Sequence, residues 1–495
     1  MVCGGSGSAT CVDNTLTGAA FCDGLGDCQA GDVACQGSSF CDASSLACCT
    51  GLFQSGALGV DNGTGNDGAC CGFGGQPPCR TITRAMQLVD AAHAQGVTIT
   101  ATIDGGSGDW GNGEIYPILL GWSVELSAAG IVFGVPNDKA ETFDITHYST
   151  NDASGVASIV GEAGNAVMIG IVPRAAETSN AVAIQVEAGG TLYLANASVG
   201  SAQMYETTAL MVIGGGTLVL AQDQSGAITG PVNIGGDSHG WNGIVCVNSH
   251  GEGCTITDAI LDAGSSLTVQ GQQNLDIYAE DGATITLNSA PVVGIWPEAP
   301  TFGECNLKAD TGSSDGPAIL LVGSASLQLR NALVQCIQGT GIELRASSTG
   351  APSLDLRDSM IRNTTTGIHA EAGQVSVEDS TIMFNEIGVW QDSSGTVDLS
   401  GFNTVSCNYG LEVGQSGGGV SVLNTSSNPL DATDVAWDTV GPDLFKCNAQ
   451  LQQCACQIAS CSEPGGSSEN MDAAYTSQPI LTTGNRGLDT PCIAN

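Results

Sequence analysis

Residues 341–408 read GIELRASSTGAPSLDLRDSMIRNTTTGIHAEAGQVSVEDSTIMFNEIGVWQDSSGTVDLSGFNTVSCN, and this stretch decides the fold. It contains three copies of one unit, opening at Gly341, Gly367 and Gly388, and a shorter copy, GLEVGQSGGGVSVLN, opens at Gly410. Each copy runs strand, turn, strand, turn: alternating runs such as SLDLR and QVSVE are separated by Gly, Ser, Asp and Asn. From Val97 to Leu423 the unit returns roughly every 21–26 residues. A β-rich unit of that length cannot bury its own apolar face. It must stack on its neighbours, so the pattern predicts an all-β coiled solenoid.

Working outward, AVAIQVEAGGTLYLANASV and ALMVIGGGTLVLAQDQSG carry matching Gly-Gly-Thr corners at Gly189 and Gly215. Ile184, Leu192, Leu194, Leu218 and Leu220 are expected to line aliphatic rows inside the coil. Asn385 and Asn408 are expected to stack as an amide ladder at one corner, with Asn363 as a looser member. Residues 134–180, irregular and rich in Ala, Asn, Asp and Ser, read as a long loop leaving a rung. About thirteen rungs at a rise of about 4.8 Å would make a rod on the order of 60 Å long.

Upstream lies GVDNGTGNDGACCGFGGQPPCRTITRAMQLVDAAHAQG, residues 59–96. Ile82, Ala85, Met86, Val89 and Ala92 share one face of a helix over Arg80 to Gln95, which Gly96 stops. A single amphipathic helix before a series of rungs suits a lid on the apolar end of the first coil. The succession of NDG, PPCRTITRAM, GVTITATIDGG and EIYPILLGWSVELSA resembles the opening segment of right-handed parallel β-helix proteins of the pectate-lyase-like superfamily. Within that group it is similar to bacterial surface and lipoprotein members of unassigned activity. The resemblance implies a right-handed parallel β-helix with an N-terminal capping helix and disulfide-rich terminal segments. The opening motif carries no catalytic residue. On this reading the chain divides into a Cys-rich segment (1–58), the lead-in motif and capping helix (59–96), the β-helix (97–428) and a Cys-rich C-terminal cap (429–495).

Composition narrows the partners. The formal charge is −39, because only 11 Lys and Arg oppose 50 Asp and Glu. Such a field repels nucleic acid and anionic lipid, and it repels polyanionic glycans unless a basic groove is present. Twenty-one Cys point to an oxidising, extracellular setting. Eleven lie in residues 3–79, and over residues 1–58 few aliphatic residues are available, so disulfides must replace a core there. The odd total leaves one over. Cys3 heads CGGSGSAT, a stretch resembling the start of a mature bacterial lipoprotein, so Cys3 is the candidate lipid anchor; a free or intermolecular thiol also fits. The expected location is secreted or on the outer surface, with the membrane involved only through that anchor.

Three groups could carry chemistry. The lyases of the resembled superfamily use a basic residue beside acidic calcium ligands, and Lys139, Lys308 and Lys446 stand in no such setting. Its hydrolases need carboxylates converging from adjacent rungs, one to protonate the leaving oxygen and one to activate water. Asp355, Asp358 and Asp379 are the candidates, against the plainer reading of a solvated ladder of turn residues. Cys246 and Cys254, with His239 and His250, could form a disulfide-closed loop or a zinc site, and secretion favours the disulfide. Asp61, Asn62, Asn66 and Asp67 in DNGTGNDG could hold calcium or act as Asx turns. The sequence calls for no cofactor, calcium being the single candidate.

The weak catalytic inventory leads to the expectation of a non-enzymatic, adhesive or carbohydrate-contacting surface rod. The alternatives are a carbohydrate-active enzyme, a hydrolase or lyase acting on an extracellular polysaccharide, and self-assembly into a filament or coat.

Overall fold

The computed structural model describes residues 10–12, 15–22, 28–34, 40–42, 47–49, 57–72, 76–95, 101–105, 109–110, 114–115, 117–121, 124–128, 132–136, 141–145, 156–161, 167–172, 182–199, 208–249, 251–259, 266–289, 292–295, 316–408, 419–437, 444–447, 454–456, 471–475, 478–484 and 486–487. The chain is a right-handed parallel β-helix. Each turn visits three faces in fixed order, and successive turns pair in parallel. The first face is a sheet of fourteen strands, from Ala57–Val60 at one end to Ile480–Leu481 at the other. The second and third faces form one 23-stranded sheet, because strands such as Leu333–Arg345 and Met360–Ala370 run unbroken through the corner between them.

Alternation along each strand turns one set of side chains inward, and parallel register stacks them. Leu192, Leu218, Ile256, Ile285, Leu327, Leu354, Val375 and Val397 form one continuous row on the first face. All are buried, as is Ile184 on the third face. Removing one such side chain, for example by Leu327→Ala, would cost about 2–5 kcal/mol through lost transfer energy and the cavity left behind.

Corners are built from positive-φ residues. Gly189 and Gly215 turn at φ 79° and 81°, a conformation open to glycine and strained for other residues. At the corner from the second to the third face, the left-handed residue is Cys336, Asn363, Phe384 or Cys407 in successive rungs. The residue after it points inward and makes the ladder. Asn408 Oδ1 accepts from the Asn385 backbone N–H at 3.1 Å and its Nδ2 at 3.0 Å, and Asn385 Oδ1 accepts from the Thr364 N–H at 3.1 Å. Asn363 is therefore the turn residue, and Thr364 occupies the ladder position. The expectation for Asn363 was one residue out of register.

Three further expectations are corrected. Residues 134–180 are not a single loop: Glu141–Ile145, Val156–Gly161 and Val167–Val172 are ordinary rung strands, and Val132–Pro136 pairs in parallel with Val167–Val172. Gly410, the expected opening of the fourth repeat, lies outside the described residues, while Val389 pairs with Val422, so Ser421 takes the place of Gly388. The coil also runs past both expected bounds of 97–428. Ala57–Val60 pairs with Ala101–Gly105, while Leu430–Asp431 and Ala436–Trp437 pair onward with Ile480–Leu481 and Arg486–Gly487. In each case inserted or very short strands hide the alternation that marks a rung.

Both ends are covered. Helix α1 (Ile82–His93) packs Ile82, Ala85, Met86, Leu88, Val89 and Ala92 into the core, and Thr81 caps it by accepting from the Arg84 N–H at 3.0 Å. Disulfides Cys49–Cys70 and Cys71–Cys79 fasten this cap. At the far end Leu444–Cys447 pairs with Met471–Tyr475 and carries the antiparallel strand Cys454–Cys456. Cys336 and Cys407 are also disulfide-bonded. Cys3 lies outside the described residues. Among the described residues, no helix is long and apolar enough to cross a membrane.

Candidate functional site

Register brings two columns of outward side chains together on the third face. Leu320, Glu343, His369, Trp390 and Leu423 form one column in successive rungs. Two residues further along the same strands, Arg345, Glu371, Asp392 and Thr425 form the second. These positions alternate with inward Leu344, Ala370 and Gln391, which explains why polar and aromatic groups collect on the outside.

The geometry at this shelf is specific. The imidazole of His369 stacks on the indole of Trp390, with ring centroids 4.3 Å apart and planes 16° from parallel. His369 Nδ1 lies 3.6 Å from Glu343 Oε1, and Nε2 lies 3.9 Å from Asp392 Oδ2. Nε2 is buried and makes no hydrogen bond. Arg345 Nε donates to Glu343 Oε1 at 2.7 Å and lies 3.9 Å from Glu371 Oε2. Trp390 Nε1 donates to Thr425 Oγ1 at 2.9 Å, and Thr425 Oγ1 donates to Asp392 Oδ1 at 2.9 Å. Beyond Trp390, Leu423, Phe445, Ala474 and Val420 form a small apolar cluster that supports the indole.

Exposure grades along the line. Glu343 is 8% exposed, His369 15% and Asp392 32%. Burial by itself would raise the Glu343 pKa, but hydrogen bonds from His369 and Arg345, with their charges, hold it below the ordinary carboxylate value. Glu343 thus stays ionised at the base of the line. Asp392 meets solvent, with Glu371 one rung away and equally outward. The imidazole thus stands between a buried and an open carboxylate, with Nε2 beyond hydrogen-bond distance of Asp392. Further along the shelf, burial and the Tyr278 hydroxyl bond to Glu280 Oε2 (2.7 Å) push that phenol well above its usual pKa.

The sequence candidates fall elsewhere. Asp355 points outward on the first face, where Arg357 Nε reaches its Oδ1 at 3.0 Å and Arg357 Nη1 reaches Glu378 Oε2 at 2.8 Å. Asp358 and Asp379 stack one rung apart at the next corner, both exposed with φ 49°. Their backbone N–H groups donate to Glu378 and Gly401 carbonyls. The three are neighbours, but Asp358 and Asp379 occupy a turn ladder. Cys246 and Cys254 form a disulfide. His250 lies outside the described residues, as does the side chain of His239.

In the calcium candidate, the acceptors are used by the chain. Asp61 Oδ1 accepts from the Gly63 and Thr64 N–H groups, and Asn66 Oδ1 from Gly68 N–H. Asp67 turns to the start of α1, where its Oδ1 accepts from Arg80 and Thr81 N–H. Glu114 completes that anionic cap, accepting from Ile82 N–H at 2.7 Å and Thr83 N–H at 2.9 Å. Asn62 also has a partner.

No family model matches the chain, and no curated protein matches it. Among solved structures it is similar to two mannuronan C-5 epimerase modules from Azotobacter vinelandii. The AlgE6 A-module shares 11% identity at a TM-score of 0.39, over 83% of this chain and 95% of the other. The AlgE4 A-module shares 10% at 0.36, over 87% and 98%. Likeness this low says nothing about the chemistry of this chain.

The His369 shelf escaped the sequence reading although its signal was present. Aligning the copies on Gly341, Gly367 and Gly388 gives Gly-Ile-Glu, Gly-Ile-His and Gly-Val-Trp, which places Glu343, His369 and Trp390 in one column.

Proposed function

We propose that this protein is a carbohydrate-active enzyme that cleaves glycosidic bonds of an extracellular polysaccharide laid against the third face. The observation that supports this reading is the graded line Glu343–His369–Asp392, stacked on Trp390 and ending at solvent beside Glu371. Glycoside hydrolysis needs one carboxyl to protonate the leaving oxygen and a second to activate water or attack the sugar carbon. Asp392 supplies the proton, with His369 behind it as reservoir, and Glu371 serves as the second carboxylate. The bond from the anomeric carbon to the leaving oxygen breaks as that oxygen takes the Asp392 proton and a Glu371 oxygen bonds to the anomeric carbon. Water then displaces Glu371 from that carbon, leaving one of its protons on the new hydroxyl and returning the other to Asp392. Successive rungs rise by about 4.8 Å, which suits a closely spaced carboxyl pair.

Reducing-end release from a panel of polysaccharides tests this. His369→Ala and Asp392→Asn are each expected to lower the rate by about 10²–10⁴-fold, the scale of a lost acid–base group. Loss of release in an Asp358→Asn, Asp379→Asn pair instead would move the chemistry to the first face.

A non-enzymatic surface rod is the second reading, favoured by the regular exposed turn ladder of Asp358 and Asp379. Polysaccharide binding with no release from any polymer would favour it. The extracellular setting rests on the disulfides and the cysteine content.

A further inference from the structure

We infer that the polymer taken by the third face carries free amino groups, as an unacetylated amino-sugar chain does. The inference rests on the proposed glycan-cleaving role of the same shelf and names the substrate class for it.

The charge at the shelf argues for a cationic chain. Glu280, Glu343, Glu371 and Asp392 all face outward there, and Arg345 is the guanidinium among them. Its charge is already engaged, since it sits between Glu343 at 2.7 Å and Glu371 at 3.9 Å. Among the described third-face residues of the rungs that carry these acids, no other Lys or Arg faces outward to hold a uronate or sulfate, and exposed Lys446 lies further along the face. Glu343 stays ionised into the acid range because His369 and Arg345 offset the burial that would raise it. A net charge of −39 extends the same preference over the whole surface, drawing cations in and turning polyanions away.

Spacing adds to charge. Glu343 in one rung, Glu371 in the next and Asp392 in the third offer one acid per rung. The rung rise is about 4.8 Å, and a 1,4-linked hexopyranose chain advances by a similar length per sugar. Amines repeated along the chain would therefore meet the open acids Glu371 and Asp392 on successive rungs, while Glu343, covered and bonded to Arg345, adds negative charge behind them. The His369–Trp390 stack lies inside this track and provides the apolar surface against which a sugar ring can rest.

The test measures binding of three hexasaccharides to the full chain by titration calorimetry at low and moderate salt: glucosamine, N-acetylglucosamine and a uronate. Reducing-end release is followed in parallel. The glucosamine oligomer is expected to bind at least tenfold tighter than the other two, and to weaken as salt rises. Glu371→Gln is expected to weaken it roughly threefold to tenfold. Glu378→Gln, which removes an equal charge from the first face, is expected to leave it unchanged. An equal loss in both variants would show bulk attraction and overturn the inference. So would equal or tighter binding of the N-acetylated or uronate oligomer. Release from a neutral or anionic polymer alone would overturn the inference while the glycan-cleaving role stands. Tight glucosamine binding without release from any polymer would uphold the substrate class and remove the enzymatic role.

Discussion

The first and third faces of the solenoid carry similar outward chemistry with different consequences. Both place an arginine between two carboxylates on neighbouring rungs: Arg357 with Asp355 and Glu378, and Arg345 with Glu343 and Glu371. On the first face these groups are open to water, and the acids that follow, Asp358 and Asp379, sit in solvated turns. On the third face Glu343 is nearly covered and a histidine–tryptophan stack stands beside it. The same ion-pair motif is a surface ladder in one place and a candidate site in the other. Burial and an aromatic neighbour make the difference, because only a partly dehydrated charge interacts strongly enough to hold a group in a defined protonation state.

The largest stability effect expected from breaking that contrast comes at Trp390. Its indole stacks on His369, donates to Thr425 and rests on the Leu423–Phe445 cluster. Trp390→Ala is expected to lower unfolding stability by about 2–4 kcal/mol, read from denaturant midpoints. A loss as small as a surface substitution would mean that the shelf is not a packed unit.

Asp276 sharpens the contrast from inside the third face. It occupies a row of small residues that includes Gly243, Ala318, Gly341, Gly367, Gly388 and Ser421. A Cβ on Gly341 would stand 2.6 Å from the Gly367 carbonyl oxygen, so the row has little room for side chains. Asp276 is buried and its Oδ1 makes no hydrogen bond, and this burial pushes its pKa well above the ordinary value. A raised pKa means that the folded state holds a proton the unfolded chain has released. Stability is therefore highest below the unfolded aspartate pKa and falls as pH rises toward the folded one. Asp276→Asn is expected to raise stability by about 1–3 kcal/mol at neutral pH, with the gain closing as pH falls to about 4. Melting temperatures across pH check this, and a gain that persists in acid would point to packing instead of charge.

The smallest effect belongs to the first face. Arg357→Gln is expected to leave the melting temperature unchanged within error at moderate salt, since its ion pairs are exposed and screened. A clear loss would erase the distinction between the two faces.

Much of this architecture was readable in advance, and the misses have separate physical causes. Ile184, Leu192, Leu194, Leu218 and Leu220 lie inside as their alternation required, and α1 covers the first coil with the face expected of it. Asn385 and Asn408 form the corner ladder, while Asn363 is displaced by one position because the left-handed turn residue precedes the ladder residue. Residues 134–180 were obscured by insertions, which interrupt periodicity without interrupting stacking. Asp355, Asp358 and Asp379 were visible because they stand beside regular strands. His369 was not, since its partners Glu343 and Asp392 are distant in sequence and meet it only across rungs.

The sequence by itself determined the coil and its inward rows, because alternation and repeat length act locally along the chain. Only the tertiary structure decided which outward residues act together. Insertions of unequal length separate neighbouring rungs in sequence, and parallel register alone brings Glu343, His369, Trp390 and Asp392 onto one shelf.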